Sequence, residues 1–394
     1  MYGYYESVVK IILYRNLENI LLYIYALSIM CERIAVTYFV PVSNYIALPL
    51  IVLIIIRLFF ERKIKNPKLV IFIFLLWGWM TIGMIWSTNI NALILRYSLV
   101  TLLLLVTFCI TQRGLTDTEL YKLEIVCFIG GLATAVTLLV SGENFYGNML
   151  EERLSLGERN DPNFYAMTLL YAWAIGYQYI YSKHKMVEFL GVVGVIIILY
   201  AIIMLGSRGA LLACVVTVIA YELYRRHFKV LLLLSIAVVG LMTWLAGMFD
   251  RFTLDMMLES GGAGRTDIWM VGIEMIKDNF FQGVGLHNFE SRYNEYAALS
   301  ETGYSRGLYR APHNFILEIW AELGLIGLIL YGYIIYYASK CINKKLLQTH
   351  ISLLIGLVST FIAAFFLTSI AEKIPWLLLA VLGAYECHEN GCRL

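Results

Sequence analysis

Charge is what this sequence most lacks. Asp, Glu, Lys and Arg make up 15% of its 394 residues, against 60% hydrophobic residues and a mean hydropathy of +0.74. Soluble domains carry nearer a quarter charged residues, so this composition excludes a soluble enzyme with a single membrane anchor. The net charge is only +2, and the basic residues are scattered rather than run together, which excludes nucleic acid as a partner. A disulfide framework is missing too. None of the seven cysteines (Cys31, Cys109, Cys127, Cys214, Cys341, Cys387, Cys392) falls in the longest polar stretch, residues 249–311. Cys387, His388 and Cys392 lack a fourth ligand and a ribbon-like spacing, so they read as a solvated tail and not as a metal site. The first fifteen residues hold Glu6, Lys10 and Arg15 and no small-residue cleavage site, so the first apolar segment is expected to be retained.

What is abundant is apolar sequence in span-sized runs. A bilayer core takes about 20 apolar residues per helix, and such runs lie near residues 17–31, 42–60, 69–87, 91–111, 121–141, 162–181, 188–205, 209–224, 229–248, 312–338, 348–370 and 374–387. The expected fold is therefore all-α, a polytopic membrane protein of about 12 transmembrane helices. Residues 1–248 hold helices one to nine, 249–311 a large and partly helical outer loop, and 312–394 helices ten to twelve with an inner tail. Lys and Arg concentrate in the short connections 61–68, 112–122, 182–185, 225–229 and 340–345, which places these connections and the N-terminus in the cytoplasm. With that orientation the inner set has eleven Lys and seven Arg, the outer set nine Arg and two Lys, and Arg96 lies within a span. Orientation needs charge only, whereas Arg is the residue that grips phosphate or carboxylate oxygens with a planar fork. Interface snorkelling accounts for some outer arginines equally well.

The loop 249–311 contains Trp269, Phe280, Phe281 and Phe289 among its charges, a composition unlike that of disordered chain. Residues 266–278 read as a helix, with Ile268, Ile273 and Ile276 among its apolar positions and Arg265 at its start. A folded lid on the outer face is expected. Gly206-Ser207-Arg208-Gly209 is a short break between two apolar runs; it sets Arg208 at a helix N-terminus, where free N–H groups and a partial positive charge favour anions. Arg96 lies roughly 10 Å inside its span at helical rise, a costly position that marks function or a structural ion pair. His313 follows Pro312, which suits the first turn of a helix and would hold the imidazole against a positive helix end, neutral and able to act as a base. Glu318 and Glu322 follow at i,i+4 spacing, able to orient a base, bind an arginine or cap polar contacts. Gly324 and Gly327 offer a face that another helix could approach closely.

These residues also carry a resemblance. His313-Asn314, nine residues, then Gly324-Leu325-Ile326-Gly327 resembles the signature of the O-antigen ligase and O-antigen polymerase superfamily. Asn160-Asp161-Pro162-Asn163, Ser207-Arg208-Gly209, Gly264-Arg265-Thr266-Asp267-Ile268-Trp269 and Gly283-Val284-Gly285 with Phe289 occur in the family's order. The likeness covers roughly residues 155 to 330. It departs at Asn279-Phe280-Phe281, where the family commonly has a proline before the Gly-x-Gly turn.

The resemblance implies a GT-C-like membrane glycosyltransferase of surface polysaccharide assembly in the bacterial cytoplasmic membrane, with its active site on the outer face. Its donor would be an undecaprenyl-diphosphate-linked oligosaccharide. Arg208 and Arg265 would hold the diphosphate and His313 would be the general base, with no metal and no cofactor. Arg96, Arg159, Asp161, Asn163, Arg310, Asn314 and Glu318 are the candidate substrate-binding residues. Attack by an acceptor oxygen deprotonated by one base predicts inversion at the anomeric carbon. The acceptor is a second lipid-linked glycan for a polymerase, the reading favoured here, or lipid A-core for a ligase. A flippase and a chain-length regulator are the implied protein partners, beside membrane lipids. A reading from a different class is a lipid-linked oligosaccharide flippase or transporter, but transporters place their binding residues near the bilayer midplane, whereas Arg208, Arg265 and His313 map to one face.

Overall fold

The computed structural model describes residues 2–34, 41–146, 152–156, 161–227, 229, 240, 265–300 and 307–385. Most of them are helical. In chain order the helices are α1 (Tyr2–Met30), α2 (Val42–Glu61), α3 (Pro67–Ile82, continued by a 3-10 turn Gly83–Ile85), α4 (Ile90–Arg113) and α5 (Asp117–Ser141). Two strands follow, β1 (Glu143–Tyr146) and β2 (Glu152–Ser155). Then come α6 (Pro162–Tyr179), α7 (Lys185–Met204), α8 (Arg208–Arg225), α9 (Arg265–Asp278), α10 (Phe289–Ala297), α11 (Phe315–Ser339), α12 (Lys344–Thr349), α13 (Ile351–Ala364) and α14 (Lys373–Ala384).

Six helices are long and apolar enough to cross a membrane by length and composition: Val42–Glu61, Pro67–Ile85, Ile90–Arg113, Asp117–Ser141, Lys185–Met204 and Phe315–Ser339. Their outward faces carry large apolar side chains, among them Phe59, Phe60, Ile85, Leu95, Phe189 and Ile196, the dress of a surface that meets hydrocarbon rather than water. The first helix begins well before the expected residue 17, at Tyr2. The expected ninth span, 229–248, lies outside the described residues apart from Lys229 and Gly240.

Two helices form the inside of the bundle. α6 is buried on nearly every side, against α5, α7, α8 and α13, and α14 is buried from Ile374 to Ala384, against α4, α11 and α13. Both are apolar around the whole circumference, which is what a fully enclosed helix requires. At one end of the bundle a buried ion network ties α1, α2, α4 and α5. Arg113, fully buried, reaches Glu119 at 3.0 Å and Glu18 at 3.6 Å, while Arg15 and Arg57 hold the same two carboxylates.

A short antiparallel hairpin adds strand to the otherwise helical fold, with Glu143 opposite Ser155 and Tyr146 opposite Glu152. A separate small core, formed by Ile268, Val271, Met275, Phe289, Tyr293 and Ala321, packs α9 and α10 onto α11. Ile273 of α9 faces outward instead.

α11 is broken. Gly324 has φ 69° and ψ −177°, far from helical values, and the backbone of residues 280–285 fills the gap. Val284 and Gly285 donate to the carbonyls of Ala321 and Glu322 at 2.9 Å, and Leu325 donates to the carbonyl of Phe280 at 2.8 Å. Trp79 of α3 donates its indole N–H to the carbonyl of Leu323 at 2.7 Å. Non-helical backbone inside an apolar span is tolerated only where such partners satisfy it. Of the two glycines expected to admit another helix, Gly324 admits a loop instead, and Gly327 faces Leu323 of its own helix. A Cβ on Gly324 would stand 2.1 Å from the carbonyl oxygen of Phe281, and one on Gly283 (φ 70°) 2.4 Å from the backbone of Glu322.

Candidate active site at the helix N-termini

Four stretches that are far apart in sequence meet at one small pocket. α6 begins at Pro162, whose ring suits a first helical position. Asp161 caps the helix by accepting from the backbone N–H and the side-chain amide of Asn163, both at 2.8 Å. α8 begins at Arg208 after the N-cap Ser207, whose hydroxyl accepts from the N–H of Ala210 at 3.4 Å. Asn163, Arg208, Gly209 and Arg265 line the pocket, and Phe366 and Leu367, from the turn after α13, close it. Two helix N-termini and two guanidinium groups around one space form a strongly electropositive site suited to an anion. The free space is about 20 Å³, room for roughly one water, so a sugar diphosphate enters only if side chains move aside.

Arg265 also lies over the ring of Phe366, 5.8 Å from its centroid. The hairpin contributes Arg153, whose guanidinium donates to the side-chain carbonyl of Asn163 at 3.1 Å and to the carbonyl of Leu205 at 2.9 Å. That contact links the end of α7 to the start of α6 and holds the pocket wall.

His313 stands beside this pocket, but not in a helix. α11 starts at Phe315, because Asn314 is its N-cap and accepts from the N–H groups of Ile316 at 3.0 Å and Leu317 at 3.1 Å. Pro312 and His313 precede the helix, contrary to the expectation of a first-turn position. His313 has a left-handed backbone (φ 46°), an uncommon and strained state for a residue with a Cβ. It is held by its N–H donating to the hydroxyl of Thr368 at 3.1 Å and by Trp269 of α9 donating to the carbonyl of Pro312 at 3.1 Å. Burial is the main force that lowers the imidazole pKa below its ordinary value. Arg265 and Arg310 lower it further and Asp161 opposes them. The neutral base is thus secured by burial and two arginines rather than by a helix end.

Below His313, Glu318 accepts from the N–H groups of Ser369 at 2.7 Å and Ile370 at 3.2 Å. It fixes the turn that presents Thr368 and Phe366. Asn314 and Glu318 are therefore engaged with protein backbone. Arg96 is brought to a different place, 3.4 Å from the imidazole of His287. Arg159 lies outside the described residues. Among the described residues no group of three or more His, Cys, Asp or Glu is placed to hold a metal ion. Sequence reasoning missed Arg153, Phe366 and Thr368, which reach the site through hairpin and turn geometry and carry no local signature.

Residues 193–332 match the family model described as O-antigen ligase. The match covers 140 of the chain's 394 residues and marks a likeness to the O-antigen ligase and polymerase superfamily. No curated protein matches it. The matched stretch runs from within α7 into α11 and carries Arg208, Arg265, His313 and the Gly283–Gly324 junction. Asn163, Arg153 and Thr368 come from outside it, from the start of α6, the hairpin and the turn after α13. That likeness, with six helices long and apolar enough to cross a membrane, supports a multi-pass membrane protein related to glycan-transferring enzymes.

Proposed function

We propose that this chain is a polysaccharide polymerase that transfers a polyprenyl-diphosphate-linked glycan to a hydroxyl of a second lipid-linked glycan, with inversion. The observation that carries this reading is the juxtaposition of Arg208, Arg265 and Asn163 in one pocket with a neutral His313 electrostatically coupled to Arg265. The acceptor hydroxyl gives its proton to His313 as its oxygen attacks the anomeric carbon. The bond from that carbon to the phosphate oxygen breaks, and the charge that develops on the departing diphosphate falls to Arg208 and Arg265. Asp161 keeps Asn163 in place, and Arg310 holds the imidazole neutral between turnovers.

The reaction belongs on the outer face of the cytoplasmic membrane. In the proposed topology twelve spans leave 249–311 outside as a lid that includes α9 and α10. A ligase that uses lipid A-core as acceptor is the second reading, favoured by the description of the matching family model. The flippase reading is disfavoured because Arg208, Arg265 and His313 gather at helix ends.

The test uses purified full chain with lipid-linked repeat units alone. Lengthened glycan is expected; product formed only after lipid A-core is added replaces the polymerase with the ligase. His313→Ala is expected to bind donor yet lose about 10²- to 10⁴-fold in rate. Arg208→Ala and Arg265→Ala are each expected to lose about 10²- to 10³-fold. Transfer at the wild-type rate by His313→Ala would remove the base from the mechanism.

A further inference from the structure

A second polar cluster flanks the first two turns of α11. It is built on His287, in the loop that fills the break in α11. His287 has φ 58°, and both of its neighbours hold it there. Its own N–H donates to Glu322 at 2.7 Å and that of Phe289 to the same carboxyl group at 3.4 Å. Asn288, fully buried, accepts from the N–H of Asn89 at 2.8 Å and donates to Ser87 at 2.7 Å. A strained backbone fixed from two sides projects the ring in one direction, toward Arg96.

Arginine only donates, so the 3.4 Å contact from Arg96 Nη2 to His287 Nδ1 makes Nδ1 the acceptor and leaves the proton on Nε2. Burial, with Arg96 alongside, pushes the imidazole pKa down to about 4, so the ring stays neutral with its Nε2–H as donor. Glu290, half-buried on the first turn of α10, lies in the field of Arg96, and burial raises its carboxyl pKa. Glu318 and Glu322 lie in the same field.

The balance of this cluster differs from that of the first pocket. There, arginines and helix N-termini present donors only. Here one guanidinium lies in the field of three carboxyl groups, and a histidine N–H donor, an arginine and the acceptor oxygens of Glu290 suit a chain of hydroxyls. From Phe315, the first residue of α11 and two after His313, to Glu322 is about 10 Å at helical rise, so the two clusters are neighbours along one helix. We propose that Arg96, His287 and Glu290 form a saccharide subsite that holds the glycan whose hydroxyl is presented to His313. This rests on the transferase reading above and adds to it a site for sugar separate from the site for diphosphate.

Two probes separate the two sites in the full chain. Undecaprenyl diphosphate without sugar reports on the arginine pocket. Glycan released by mild acid from the lipid-linked pool of cells deleted for this gene reports on the saccharide subsite, by saturation-transfer NMR. The wild-type chain is expected to bind both. His287→Ala and Glu290→Gln are expected to weaken glycan binding tenfold or more and leave undecaprenyl diphosphate binding within twofold, and unchanged melting temperatures keep the comparison valid. If His287→Ala proves unstable, Glu290→Gln and Arg96→Lys carry the test. Absence of glycan signal with the wild-type chain, glycan binding unchanged in all variants, or a loss confined to undecaprenyl diphosphate each overturns the subsite. Unchanged undecaprenyl diphosphate binding in Arg208→Ala would instead overturn the transferase reading, whatever the glycan result.

Discussion

In the proposed mechanism His313 is the single residue that takes the acceptor's proton. Its imidazole is kept neutral by burial first, then by Arg265 and Arg310, against the pull of Asp161. A nearby cation disfavours imidazolium, so removing one raises the pKa and removing the anion lowers it. The rate is therefore expected to fall on the acid side with an apparent pKa below the ordinary 6.5. In Arg310→Gln that limb moves to higher pH, and in Asp161→Asn to lower pH. A pH profile of the transfer rate checks both signs, and identical limbs in all three proteins would mean that another group is titrating. Arg113 makes a residue-scale prediction of stability. It is fully buried against Glu18 and Glu119, so Arg113→Met removes one of the two guanidinium groups that hold each carboxylate and is expected to cost about 1–3 kcal/mol, seen as a loss of folded protein in detergent.

At the scale of elements, the break in α11 and the turn after α13 do the positioning. Gly324→Ala would put a methyl 2.1 Å from the carbonyl of Phe281 at a left-handed φ. It is expected to destabilise by at least about 3 kcal/mol. Gly332→Ala, in the same helix with nothing within 4 Å of its Cβ, is expected to be neutral or to gain about 0.5–1 kcal/mol from helix propensity. Thermal unfolding of the pair separates a local steric demand from general intolerance of α11 to change. Glu318→Leu strands the N–H groups of Ser369 and Ile370, at about 1–3 kcal/mol each, and releases the turn that carries Thr368. Glu318→Gln keeps an acceptor and is expected to stay near wild type in both melting temperature and rate.

The whole molecule poses the question of sidedness. If the proposed topology holds, Ser182→Cys and Ser300→Cys in a cysteine-free background react with impermeant thiol reagents from opposite faces, Ser300→Cys from outside. Labelling of both from one side would overturn the span count. The sequence by itself determined the solvent and the helices: where apolar runs of about 20 residues end, α2, α3, α4, α5, α7 and α11 end within a few residues. It also exposed Arg208, Arg265 and His313, because local breaks in hydropathy and short motifs single them out. The start of α11 and the role of its glycines were not legible. Whether Asn314 or Pro312 begins the helix depends on where the asparagine carbonyl turns, and whether Gly324 meets a helix or a loop depends on the path of residues 280–285. Arg153, Thr368 and Phe366 carry no sequence signal, since each matters only through a neighbour found 10 to 55 positions away or across the pocket. Tertiary structure alone decided that Arg96 pairs with His287 rather than joining the other arginines. Hydropathy records how each segment meets the bilayer, a local property of the chain, whereas a site is a set of long-range contacts that exists only once the helices have packed.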